Sequence, residues 1–344
     1  MKLVTTGLAL VLAGASFAAH AQQAITGAGA TFPAPVYTKW GEAAKAAIGV
    51  QLNYQAIGSG GGQNQIINRT VDFGASDAPM DPAKLRTGNL LQFPTVMGAV
   101  VPIVNIPGLA AGELKLTGEL LADIYLGSVT KWNDPKIAVL NAGVTLPALA
   151  IAPVYRADGS GTSFVYTSYL STVSPEWKDK VGAATSVAWP AGAGAKGNDG
   201  VAATVHNTRG GLGYVENSYA TRNHLVTTQL KNKSGRFVTP SKESFAAAAE
   251  AADWPHVQNF AVSLIDLPGE KAWPIVSPTF IELPKDPKDP ARTAEVIKFF
   301  DWAFRNGNAI AEELEYIPLP NAVQNTVRSI WHSEIKGSDG KALY

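Results

Sequence analysis

The run IAPVYRADGSGTSFVYTSYL, residues 151–170, decides the fold class. Ile151 to Tyr155 is a short apolar run suited to a buried strand, and Ser163 to Leu170 is an amphipathic run suited to a helix. Between them Gly159-Ser160-Gly161-Thr162 supplies a tight turn. Strand, Gly-rich turn and helix, in that order, form the building block of an α/β protein.

The rest of the chain repeats this alternation. Strands are expected at Val50–Ala56, Val71–Ala75, Val96–Val104, Gly211–Val215 and Ile275–Ile281. Helices are expected between them. Pro33–Ala47 carries Pro near its first position and stops at Gly49, and Asp199–His206 follows a Gly-rich turn. Asp289-Pro290 reads as cap and first position of a helix carrying Val296, Phe299, Phe300 and Phe304. A last helix puts Val323, Val327, Ile330 and Trp331 on one face, and these aromatic stripes read as core. The alternation predicts an α/β class with largely parallel sheets. A length of 344 residues favours two domains. No long linker or internal repeat separates them, so the chain is expected to cross between two lobes more than once.

Composition narrows the chemistry. Lys plus Arg number 28 and Asp plus Glu 28, so no broad positive field draws nucleic acid or an anionic membrane. Cys is absent, which excludes disulfides, thiolate nucleophiles and Cys-ligated metal. Residues 1–21 carry Lys2, an apolar run from Leu8 to Ala15 and Ala19-His20-Ala21, the pattern of a cleaved export signal with the mature chain starting near Gln22. A second uncharged stretch, Thr87 to Gly112, is broken by Pro94, Pro102 and Pro107 and reads as buried strand and hinge. His206, His224, His256 and His332 are never spaced i,i+4, so no His-based metal site is expected and no cofactor is called for. Gly192-Ala193-Gly194-Ala195-Lys196-Gly197 fits G-x-G-x-x-G with Glu216 downstream, but it lies late in the chain and follows Trp189-Pro190, so a Gly-rich surface loop is expected there. P-loop and nucleophile-elbow motifs are missing.

Three Gly-rich segments sit at expected helix starts: Gly27-Ala28-Gly29-Ala30-Thr31-Phe32-Pro33, Gly58-Ser59-Gly60-Gly61-Gly62 before Gln63–Thr70, and Gly159–Thr162. Opening N–H groups of a helix have no intrahelical partner, and with the helix dipole and Ser or Thr hydroxyls they suit a small oxyanion without net charge. Ordinary turns and caps use the same residues. In extended backbone Arg156 and Asp158 share a face, so the carboxylate could hold the guanidinium toward an anion, or the two could form a surface pair. Asp77, in Gly74-Ala75-Ser76-Asp77-Ala78-Pro79, would repel an anion unless the anion brings a proton; it could instead cap a helix over Met80–Leu85.

The segments GAGATFPAPVYTKW, GSGGG, VDFGASDAP, RADGSGTSF, AKGNDG, GYVE and KFFDWAF resemble, in order from Thr26 to Tyr344, those of the periplasmic phosphate-binding component of bacterial phosphate ABC importers, the PstS family. The resemblance implies a type II periplasmic binding protein: two α/β lobes, residues 22–105 plus 277–344 and residues 106–276, with crossing hinge strands and a ligand cleft between them. Residue by residue it implies phosphate contacts from Thr31, Phe32 (through its N–H), Ser59, Asp77, Arg156, Ser160, Gly161 and Thr162, with Asp158 supporting Arg156. Gly60 stands where a second Ser is expected. The implied activity is capture, not catalysis: the chain takes inorganic phosphate in the periplasm and hands it, as a monomer, to the inner-membrane permease. Asp77 would accept a proton from hydrogenphosphate that sulfate lacks. A receptor for another oxyanion such as sulfate, or a secreted phosphoryl hydrolase, is the competing reading.

Overall fold

The structure, a computed structural model, describes residues 24–254 and 257–344. The expected export signal at residues 1–21 and His256 lie outside the described residues. The principal strands are β1 (Ile25–Gly29), β2 (Leu52–Ala56), β3 (Phe73–Ser76), β4 (Leu90–Val104), β5 (Ala152–Arg156), β6 (Ala193–Ala195), β7 (Gly211–Glu216) and β8 (Ile275–Pro284). The principal helices are α1 (Ala34–Ile48), α2 (Ser59–Ile67), α3 (Gly161–Val173), α4 (Gly197–Asn207), α5 (Asn217–Arg222), α6 (Pro290–Asn306) and α7 (Asn321–Glu334).

Every expected strand and helix forms within a few residues of its expected place, with local reasons that can be read directly. Helix α1 carries Pro in its first turn and ends at Gly49, whose φ of 75° turns the chain left-handed. Helix α6 starts at Pro290 behind Asp289, whose carboxylate accepts from Arg292 N at 3.1 Å. Helix α2 begins at Ser59, earlier than expected, so Ser59 occupies its first turn. The buried aromatic stripes close the core: Phe93 meets Trp331 edge-on at 5.0 Å and Phe73 meets Phe300 at 5.3 Å.

The sheet corrects the expectation of largely parallel pairing. Its strands run in the order β2-β1-β3-β8-β4-β7-β5-β6. The outer pairs are parallel, β1 with β2 and β3, and β5 with β6 and β7. The centre is antiparallel: β8 against β3 and β4, and β4 against β7. All fifteen residues of β4 and all ten of β8 are buried, so an apolar run interrupted by prolines is core strand here. Pro94 is tolerated because the β4–β8 register breaks beside it: Thr279 pairs with Val96 but Phe280 pairs with Pro94, leaving Thr95 bulged. No helix among the described residues is long and apolar enough to cross a membrane.

The G-x-G-x-x-G segment is also corrected. It lies at the surface as expected, but as the edge strand β6 and the start of α4 and not as a loop. Glu216 is fully buried, with its carboxylate held by Ser218 and by the Tyr316 hydroxyl at 2.8 Å, and is closed off from any ribose.

Candidate functional site

The first turns of α2 and α3 meet head to head. Ser59 Oγ accepts from Gly161 N at 3.0 Å and from Asp77 N at 3.2 Å, and Gly60 N donates to Gly159 O at 2.9 Å. The approach is so close that a Cβ on Gly161 would lie 2.4 Å from Ser59 Oγ and 2.6 Å from Asp77 Oδ2. Only glycine fits there. Ser59, Asp77, Ser160, Gly161, Thr162 and Arg156 are all buried in this one place.

Asp77 follows β3 and caps no helix; the helix Pro82–Thr87 is capped by Asp81, which accepts from Ala83 N at 2.7 Å. Asp77 Oδ1 accepts from the Thr279 hydroxyl at 2.8 Å, whereas Oδ2 is buried without a protein partner. Burial raises this carboxyl to about 7, against the opposing pull of Thr279, Arg156 and Ser59. A buried carboxylate oxygen left without a protein donor is suited to a guest that carries a proton.

Arg156 ends β5. Its guanidinium grips Asp158 with both arms, Nε to Oδ1 at 2.8 Å and Nη2 to Oδ2 at 2.6 Å, and its third nitrogen, Nη1, lies 3.3 Å from Thr162 Oγ1. With the Arg156 side chain 1% exposed, this is a buried fork and the surface-pair alternative falls. Burial pushes Asp158 up, but Arg156 and the Gly197 N–H, 3.0 Å away, outweigh it and hold the carboxyl below its ordinary value.

Thr31 joins from the start of α1. Its hydroxyl accepts from Asn198 Nδ2 at 2.7 Å, and the same Nδ2 reaches Thr162 Oγ1 at 3.3 Å. The Thr31–Phe32 segment is held through its carbonyls, Thr31 O by the Tyr219 hydroxyl and Phe32 O by the Tyr316 hydroxyl, each at 2.6 Å. Ser160 does more than its expected place in a donor turn: it is the cap of α3, accepting from Ser163 N at 3.0 Å, while its own N–H goes to Thr185 O at 2.8 Å. All eight expected contact residues and Asp158 thus fall in one enclosed cluster. Sequence reasoning missed Asn198 and Thr279. Asn198 lies in the quoted segment AKGNDG, where an amide side chain next to the start of an expected helix was the available signal; Thr279 had none, since it reaches Asp77 across 202 residues of chain.

Among the described residues no group of three or more His, Asp or Glu could hold a metal ion. The chain matches a PBP superfamily domain over residues 16–306. It is 52% identical over 322 residues to the phosphate-binding protein PstS of Pasteurella multocida, covering 94% of each chain. It is 49% identical to that of Haemophilus influenzae over 91% of this chain and 93% of the other. Its fold matches the crystal structure of a phosphate-binding protein from Stenotrophomonas maltophilia with a TM-score of 0.71 at 22% identity, covering 90% of this chain and 94% of that one.

Proposed function

The chain belongs to the PstS family of phosphate-binding proteins, and from that premise we propose that it captures inorganic phosphate in the Ser59–Asp77–Arg156–Gly161 cluster and delivers it to an inner-membrane ABC permease. The observation that carries this reading is Asp77 Oδ2, a buried acceptor without a protein partner, packed against Gly161 at the start of α3. Hydrogenphosphate would give its proton to that oxygen and receive hydrogen bonds from Ser59, Arg156, Thr162, Thr31 and the opening N–H groups of the helices, including that of Phe32. Two lobes, residues 22–105 plus 277–344 and residues 106–276, would supply opposite sides of the cluster, so the anion stabilises the closed arrangement that a permease can recognise. The working place is the periplasm, and the unit is a monomer.

Sulfate fits this cluster poorly, because an anion without a proton would set an acceptor against Asp77 Oδ2. Hydrolysis is the weaker alternative: the relatives are named as binding proteins, and Ser59 already accepts from two N–H groups with no histidine bonded to it among the described residues. Titration of the purified chain with phosphate, followed by Trp fluorescence and repeated with competing sulfate, is expected to show one site saturated by phosphate and little displaced by sulfate. Equal competition by sulfate, or turnover of a chromogenic phosphate ester, would overturn the reading.

A further inference from the structure

We propose that Asn198 is a positioning residue that fixes the hydroxyls of Thr31 and Thr162 as donors toward the bound anion, an inference that rests on the phosphate-binding reading above. Asn198 is fully buried in the first turn of α4. Its Oδ1 accepts from Glu216 N at 2.9 Å, and that N–H dictates which end of the amide carries the nitrogen. The Nδ2 end therefore faces Thr31 Oγ1 at 2.7 Å and Thr162 Oγ1 at 3.3 Å, one proton for each.

A hydroxyl has two lone pairs and one proton. Thr31 Oγ1 also accepts from Asn198 N at 3.3 Å, and Thr162 Oγ1 also accepts from Arg156 Nη1 at 3.3 Å. With both acceptor positions filled, each hydroxyl has only its proton left to offer. Ser59 is set the same way by Asp77 N and Gly161 N. The hydroxyls of Thr31, Thr162 and Ser59 are thus turned into donors, leaving Asp77 as the acceptor. The amide is anchored in turn, because Glu216 closes β7 and its carboxylate is tied to Ser218 and Tyr316. Without Asn198 the Thr31 and Thr162 protons could rotate away and present lone pairs to an anion.

The test is a double-mutant cycle in phosphate affinity by calorimetry, using the wild-type chain, Asn198→Ala, Thr31→Val and the double variant. Asn198→Ala is expected to weaken binding of inorganic phosphate by about 10- to 100-fold in the wild-type background. In the Thr31→Val background the same change is expected to cost a clearly smaller factor, since only the Thr162 hydroxyl is then left for Asn198 to position. An unchanged affinity, or the same factor in both backgrounds, would overturn the role of Asn198. If urea unfolding shows that Asn198→Ala does not fold, the cycle is run with Asn198→Ser, an uncharged change that keeps a polar group at the buried position; additivity there is equally fatal. A wild-type chain that fails to bind phosphate would instead overturn the underlying reading, so the two failures are distinct.

Discussion

Asp77 carries the selectivity of the proposed site through a single oxygen. Asp77→Asn replaces part of an acceptor with a donor, so the variant is expected to lose most of its preference for phosphate over sulfate, measured by competition calorimetry. Sites built on such a hydrogen bond discriminate by roughly 10⁴ to 10⁵, so the drop should be large. Gly161→Ala puts a methyl 2.4 Å from Ser59 Oγ and must separate the two helix starts. Phosphate affinity is expected to fall by at least about 10-fold, equivalent to about 1.4 kcal/mol, with a smaller change in the urea midpoint. Arg156→Ala leaves the mostly buried Asp158 without its fork, and breaking such a pair costs about 3–5 kcal/mol, against about 0–1 kcal/mol for a surface pair. Thermal unfolding without ligand separates the two magnitudes. At this scale the sequence was legible where function needs a rare residue in a tight turn, as at Gly161 or Arg156. Asn198 and Thr279 were not legible, because their partners Thr31 and Asp77 lie 167 and 202 residues away and only the fold supplies them.

The elements were legible where a local signal starts or stops them. Asp289 before Pro290 marks the start of α6, and Asp289→Ala is expected to lower stability by about 1 kcal/mol in urea unfolding while leaving phosphate affinity unchanged. Strand direction was not legible. A buried apolar run looks the same whichever way its neighbour points, and β8 returns from the far end of the chain to lie antiparallel between β3 and β4. That return places the site: the register break that accommodates Pro94 falls at Thr279, whose hydroxyl then reaches Asp77.

For the whole molecule, the buried acids set a pH response. Burial raises Asp77 to about 7 from 3.8, and Glu216 and Glu282 to about 8 from 4.5. A carboxyl that holds its proton more tightly folded than unfolded contributes stability that is complete below the unfolded value and is lost as pH rises through the folded one. The ligand-free chain is therefore expected to lose stability between about pH 4 and 8, read as a falling urea midpoint, and Glu282→Gln should flatten the slope. Asp158 and Asp301, held below 3.8 by their arginine partners against the effect of burial, act with the opposite sign and withdraw stability only in stronger acid.

Strand β4 changes neighbour midway: Leu90–Ala99 pairs with β8, and Val100–Val104 pairs with β7. The Trp273 indole donates to Val100 O at 2.9 Å at that seam. On the proposed two-lobe reading, torsion between the halves of the sheet concentrates in the peptide units around Ala99 and Val100. Deuterium uptake there should slow when the anion is bound, even though no atom of those residues is among the proposed anion contacts, which would make a buried strand the gauge of an event at a distant turn.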